Sequence, residues 1–449
     1  MPAPDDSLFG TDGIRGRWGV PPLDDDCMER LGSALDAVLG PCRLLVGEDP
    51  RESSSRIRDH LLRGLSARQE VGICGVIPTP GLSWALRTGN WDWGIMITAS
   101  HNPWMDNGIK LFAGNGTKAD DRTQDQVSAA FRLAKPRSGK GVRQYRCAAA
   151  DEYAAQLRKW GEGLNGEGVF LVVDAANGAA AGIAPSLFSD LGYRVQMRGA
   201  NPDGCNINEN CGAAHIEALQ SAVRETGADL GVTLDGDGDR VLFVNREGGI
   251  ITGDHVLFAL AGGINDDPTR FPDGVVGTVM SNLGLEQELT RRKIAFLRAP
   301  VGDRHVARIM RESGFVLGGE PSGHTICSLM QPTGDGLLTA LLFLRELGSE
   351  PAVAATRLCR EMMWFAQETR SIRVEKKRDL ETWSDLNRFK ARIFESHGER
   401  VRLLMRYSGT EPKLRLMVEA ETEDLVLSIL DKLEALVRDE RNREAWDGV

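Results

Sequence analysis

The chain has 449 residues, 41% hydrophobic and 26% charged, enough for two to four domains at roughly 100–200 residues each. Its formal net charge of -10 argues against a nucleic-acid partner, which an excess of Lys and Arg would hold, but not against a small phosphorylated ligand in a local basic pocket. No run approaches ~18 uninterrupted apolar residues, so no membrane span or membrane partner is expected.

The opening MPAPDDSLFG has neither a basic n-region nor an apolar h-region, so a cytoplasmic chain is expected. It leads into FGTDGIRG (9–16), a Gly-rich loop whose Arg15 can contact a phosphate. RLLVGEDP (43–50), a Ser-rich turn, the helical run RIRDHLLRGLSARQ and the strand-like VGICGVI then form a βαβ pattern. ITASHNPWMDNGIK (97–110) follows, with Ser100 beside His101 and Lys110 ten residues on. The βαβ pattern returns in GVFLVVDAANGAAA, APSLFSDLG and YRVQMRG, and again in GVVGTVMSNLG, LEQELTRRK and IAFLRAP. Three such units, about a hundred residues apart, predict three related α/β domains with parallel or mixed sheets.

The C-terminal part differs. VRLLMRY and KLRLMVEA alternate as half-buried strands do, and ETEDLVLSILDKLEALVRDE spaces Leu425, Ile429, Leu433 and Leu436 for a helix behind a Thr422 N-cap. A smaller α+β domain is expected there. The expected domains are 1–140, 141–248, 249–367 and 368–449. Linkers are expected at 135–141, at Arg246–Gly249 and at Gln367–Ser371, with fraying after Asp439. The eight cysteines form no CxxC pair and read as reduced thiols; Cys205 and Cys211 are close enough to raise zinc or a disulfide, but no second ligand pair accompanies them.

Four loops carry chemistry. In LDGDGDR (234–240), Asp235, Asp237 and Asp239 alternate with Gly, so in an extended loop their carboxylates converge. Hard oxygen ligands suit Mg²⁺, and an EF-hand is excluded because Arg240 and Arg246 stand where it needs Gly and Glu. In RYSGTEPKLR, Ser408, Gly409 and Thr410 offer donors in a tight turn bracketed by Arg406 and Arg415, which suits a phosphate. GGEPSGH offers Glu320, Ser322 and His324 to sugar hydroxyls, although alone it could be a turn with a stray His. FGTDGIRG is the fourth. A Ser beside a His raises a hydrolase, but adjacent residues in an extended loop point apart and no G-x-S-x-G elbow is present. A carboxylate cluster, a phosphate loop and an exposed serine together point instead to phosphoryl transfer through Ser100.

TASHNPWMDNGIK, DGDGDR, GEPSGH and RYSGTEPKLR occur in the order and rough spacing of the α-D-phosphohexomutases, which the chain resembles from about Leu8 to about Arg438. FGTDGIRG, NINENCGA, GTVMSNLGLE, VGDR and LGGEPSGH most resemble its hexosamine-phosphate branch. The resemblance implies three α/β domains and a smaller C-terminal domain around a central cleft. It implies a phosphoryl group on Ser100, with Mg²⁺ held by a phosphoserine oxygen and Asp235, Asp237 and Asp239. It implies Lys110 and His324 as proton-transfer residues, with Arg15 and His101 among the catalytic candidates. Arg240, Asp303, Arg304, Glu320, Ser322, Arg406, Ser408, Gly409, Thr410 and Arg415 are implied as substrate-binding. The implied reaction interconverts glucosamine 6-phosphate and glucosamine 1-phosphate, with a hexose or hexosamine 1,6-bisphosphate as activator, on a monomer or homodimer. Glucose or mannose phosphates are the alternative substrates. Pro321 departs from the Gln usual in that branch and removes any contact made by its amide.

Overall fold

The computed structural model describes residues 8–10, 12–136, 142–263, 274–374, 379–408 and 412–447. The chain divides into two compact units, 1–280 with 294–361, and 281–293 with 362–449.

The first unit holds three sheets. The six-stranded one runs, in spatial order, Ile14–Arg17, Asp106–Ala113, Trp93–Ile97, Arg43–Glu48, Glu70–Val76 and Arg143–Arg146. Its last four strands are parallel and its first two antiparallel to their neighbours. The five-stranded sheet runs Ile250–Ile251, Val241–Asn245, Leu230–Leu234, Phe170–Asp174 and Arg194–Arg198; the four-stranded one runs Phe296–Ala299, Val275–Thr278, Leu317–Gly319 and Thr325–Cys327. Both are mixed. The predicted βαβ units are the parallel cores of these sheets. Their strands read as near-continuous apolar runs because both faces are covered: Leu44, Leu45 and Val46 are all buried. Helix Ser54–Gly64 turns Ile57 and Leu61, one turn apart, onto that sheet's core. The third βαβ unit divides, since its helix Leu283–Arg291 groups with the second unit.

The second unit carries an antiparallel sheet, Ala366–Arg373, Lys413–Ala420 and Val401–Tyr407, and the helix Glu423–Asp447. Two expectations need correcting. Gln367–Ser371 is not a linker but part of an edge strand, whose polar face hid it: Ile372 is its buried residue. The final helix runs on through Asp439 instead of fraying there. Arg246–Gly249 is the turn of a hairpin, and 137–141 of the expected first linker lie outside the described residues. Among the described residues no helix is long and apolar enough to cross a membrane.

Candidate active site

Strand Trp93–Ile97 ends in Thr98, Ala99 and Ser100. The chain then returns antiparallel, which places Lys110 opposite Met96. From the neighbouring sheet, the hairpin between Leu230–Leu234 and Val241–Asn245 presents Asp235, Asp237 and Asp239 at its turn. Gly236 lets the two loops close, because a Cβ there would stand 2.5 Å from the Ser100 carbonyl oxygen.

Ser100 has φ 52°, a left-handed conformation that a non-glycine residue holds only when its surroundings fix it. Here they do. The buried Arg51 guanidinium donates from Nη2 to the carbonyls of Ser100 and Asn102, both at 2.9 Å, and from Nη1 to those of Asp106, at 2.9 Å, and Pro103. Its Nε donates to Asp49 at 2.9 Å. Asn208 Nδ2 donates to the Ser100 carbonyl at 2.8 Å, and Thr98 Oγ1 accepts from the Ser100 N–H at 2.9 Å. Ser100 Oγ donates to Asp235 Oδ2 at 2.7 Å, and His101 Nδ1 lies 3.3 Å from Ser100 Oγ. The left-handed turn thus corrects the expectation that these neighbours point apart. It does not restore a hydrolase, because the serine gives its hydrogen to a carboxylate and His101 is exposed. Ser100 itself is buried, not exposed as expected, because the aspartate loop packs over it.

The three aspartates are buried, with ligand oxygens within 4.8 Å of one another. Burial and the charges of Asp239 and Asp237 push the Asp235 carboxyl well above the usual range. Oδ1 of Asp237 and Oδ1 of Asp239 are buried with no hydrogen-bond partner among the described residues. Three hard oxygen donors, two with unspent lone pairs, fit a divalent cation such as Mg²⁺.

Lys110 Nζ lies 2.8 Å from Asp237 and 3.2 Å from Asp239. Although burial opposes its charge, Asp12 and these two carboxylates hold it well above an ordinary lysine. From Lys110 a chain of charges runs through Asp12 (3.3 Å), which also pairs with Arg15 and Lys118. Lys118 reaches Asp303 at 2.5 Å, Asp303 lies 3.4 Å from His324 Nε2, and that nitrogen lies 3.8 Å from Asp239. The ring closes on the triad. Arg240 Nε stands 3.9 Å from both Asp235 and Asp239, and Arg15 Nη1 donates to Asn102 at 3.2 Å. Glu320 is buried and accepts from the Gly302 N–H at 2.9 Å.

The structure therefore gathers Ser100, His101, Lys110, Arg15, Asp235, Asp237, Asp239, Arg240, Asp303 and His324 around one centre. Arg304 turns instead to Asp121 at 3.1 Å, and Ser322 is exposed. In the second unit Arg406 and Arg415 face each other directly across two strands. Burial and the Arg415 charge lower the Arg406 pKa. Ser408 is buried, its N–H bonded to the Lys413 carbonyl at 2.8 Å; Gly409 and Thr410 lie outside the described residues. A cavity of about 590 Å³ borders the charge ring at Asp12, Lys110, Lys118 and Asp303. Ser100 and the triad do not line it. Sequence reading missed Asp12, Lys118, Arg51, Asn208 and Thr79, whose hydroxyl donates to Asp237 at 2.5 Å.

Family models of phosphoglucomutase/phosphomannomutase match along the chain: alpha/beta/alpha domain I over 6–137, domain II over 151–249, domain III over 252–363 and the C-terminal domain over 369–436. A phosphoglucosamine mutase of Cellvibrio japonicus is 40% identical over 442 residues, covering 96% of this chain and 98% of its own. One of Pseudomonas putida is 42% identical over 446 residues at the same coverage. Among solved structures, a phosphoglucomutase/phosphomannomutase family protein from Burkholderia thailandensis superposes with TM-score 0.79 at 24% identity, over 98% of both chains. Aspergillus fumigatus N-acetylphosphoglucosamine mutase, in complex with GlcNAc-6P and magnesium, superposes with TM-score 0.60 at 16% identity, over 96% of both.

Proposed function

The chain belongs to the phosphoglucosamine mutase family of the phosphohexomutases, and from that premise we propose that it interconverts glucosamine 6-phosphate and glucosamine 1-phosphate through a phosphorylated Ser100. The carrying observation is Ser100 Oγ, 2.7 Å from a buried carboxylate of the aspartate triad, in a loop held at φ 52° by Arg51 and Asn208.

The phosphoryl group on Ser100 Oγ passes to the free hydroxyl of the hexosamine monophosphate. The serine P–O bond breaks, a P–O bond to the sugar forms, and the hydroxyl proton leaves to the protein. The resulting 1,6-bisphosphate turns end for end and returns its other phosphoryl group to Ser100. Asp235, Asp237 and Asp239 would hold Mg²⁺, which when bound neutralises charge developing on the transferring group. Lys110 and His324 are the side chains that move protons. Arg240, Arg15 and Asp303 set the local charge, with His101 at the serine's edge. Glu320 and Ser322 meet the sugar, Arg304 the substrate's outer side, and Arg406, Ser408, Gly409, Thr410 and Arg415 grip the phosphate that is not reacting. Primed by a hexose or hexosamine 1,6-bisphosphate, the reaction runs in the cytoplasm, on a monomer or homodimer whose four domains join near residues 140 and 248 and ahead of strand Ala366–Arg373.

Pro321 favours one competing reading, the same chemistry on a neutral sugar. Turnover of glucosamine, glucose and mannose 6-phosphates, each with Mg²⁺ and a 1,6-bisphosphate primer, decides between them. A lead in kcat/KM for the amino sugar supports the proposal; a lead for a neutral sugar moves the chain's substrate and keeps its mechanism. Ser100→Ala is expected to abolish turnover in a folded protein, and near-normal turnover by that variant would overturn the phosphoserine.

A further inference from the structure

Outside the active site, two thiols stand side by side. Cys74 lies in strand Glu70–Val76 and Cys147 follows strand Arg143–Arg146, which pairs parallel to it. Cys147 Sγ is 3.5 Å from Cys74 Sγ, and the Cys147 N–H bonds to the Ile73 carbonyl at 3.0 Å. Cys74 also sits where the pairing with strand Arg43–Glu48 slips by one residue, between Ile73 and Gly75. It is the unpaired residue of a bulge, which re-aims a side chain. Both thiols are half-buried, so neither is sealed in the core. Neighbouring strands run about 4.8 Å apart. That lies inside the span of about 4.4–6.8 Å between Cα atoms that a disulfide bridges.

We propose that Cys74 and Cys147 are an oxidisable dithiol that a small-molecule disulfide converts to an intramolecular disulfide bond. Cys147 is the attacking sulfur. It lies just ahead of helix Ala149–Trp160, its thiol is lowered to about 7 by the Cys74 contact and a backbone N–H from Ala149, and Cys74 is held well above its ordinary value. The Cys147 thiolate displaces one half of the reagent as a thiolate, which takes a proton from water, leaving a mixed disulfide. Cys74, giving its proton to water, then attacks the Cys147 sulfur and releases the second half. The protein loses two protons and two electrons, and the reagent gains both as two thiols.

The bond would staple the first sheet to the start of helix Ala149–Trp160. Tyr153 of that helix packs against Gly81, where a Cβ would meet its ring at 2.9 Å. Gly81 belongs to helix Thr79–Thr88, whose first residue holds the triad carboxylate of Asp237. Oxidation would thus fix the joint behind one wall of the active site.

The test is intact-protein and peptide mass spectrometry of the full chain, treated with oxidised glutathione and then alkylated. Loss of two hydrogens with Cys74 and Cys147 peptides cross-linked, reversed by a dithiol reductant, is expected. Cys74→Ser is expected to stop at a stable glutathione adduct on Cys147, and Cys147→Ser to leave Cys74 free. A wild-type chain that keeps both thiols alkylatable, or that accumulates the adduct without the cross-link, overturns the proposal.

Discussion

At the scale of single residues, Lys118 is the one whose role was least visible beforehand. Its ammonium sits between Asp12, which touches Lys110, and Asp303, which touches His324. Coulombic attraction to those carboxylates outweighs burial and raises its own pKa. It contacts neither the serine nor the triad, so it acts through Lys110 and His324, the two proposed proton carriers. Lys118→Met would leave two carboxylates without their shared cation and let both carriers drift. A misplacement of about 1 Å costs about 10²-fold in rate. Lys118→Met is therefore expected to lower kcat by about that factor with KM little changed, while Lys118→Arg retains most of the rate. Steady-state kinetics of both variants check this; a Met variant with wild-type kcat would show that Lys118 only fills space. The aspartates and Ser100 were legible because their alternation and spacing are local. Lys118, Asp12 and Asn208 were not, since each acts across a hundred or so positions and leaves no period in the chain.

At the scale of an element, the serine loop is a turn with no regular ladder of its own, so its carbonyls depend on an outside donor. Arg51 supplies it. It and Asp49 have fully buried side chains, and Asp49 also accepts from Thr98 and Ser54. Removing one member of a buried pair costs about 3–5 kcal/mol because the other charge stays behind. Arg51→Met is expected to lose about that much stability in urea unfolding and most turnover as well. Asp49→Leu with Arg51→Met is expected to cost less than the two single changes added. Strict additivity would mean that Arg51 serves the loop carbonyls alone. The same scale explains the missed strand Ala366–Arg373. Its alternation is polar on nearly every position, because an edge strand with one small buried face needs little apolar pattern. The βαβ strands, covered on both faces, announce themselves; this one is placed by its partner Lys413–Ala420.

At the scale of the molecule, buried contacts tie the modules of the first unit together, and one of them titrates. Tyr153, in the second module, donates to Asp335 Oδ2 at 2.8 Å in the third, where Asp335 also caps helix Gly336–Leu347 through the Leu338 N–H. Gln331 Nε2 joins the same carboxylate at 3.2 Å and reaches back to the Pro80 carbonyl of the first module at 3.0 Å. Burial raises the Asp335 pKa to about 6, against the pull of these donors. An unfolded Asp titrates near ~3.9. Between those values the folded chain keeps a proton that the unfolded chain has released. The stability this contributes is full below about pH 4 and is lost as pH rises through about 6, up to roughly 3 kcal/mol at 1.36 kcal/mol per pKa unit. Tyr153→Phe removes a donor that favours the carboxylate, so it raises that pKa further and penalises the charged form. The variant is expected to lose about 1.5–3 kcal/mol at pH 7.5, the worth of a hydrogen bond to a charged group. It should lose clearly less at pH 5, where the wild-type carboxyl is already protonated. Urea unfolding of both proteins at the two pH values measures this. An equal loss at both would mean that Tyr153 holds the joint by packing, and that Asp335 takes no charge from it.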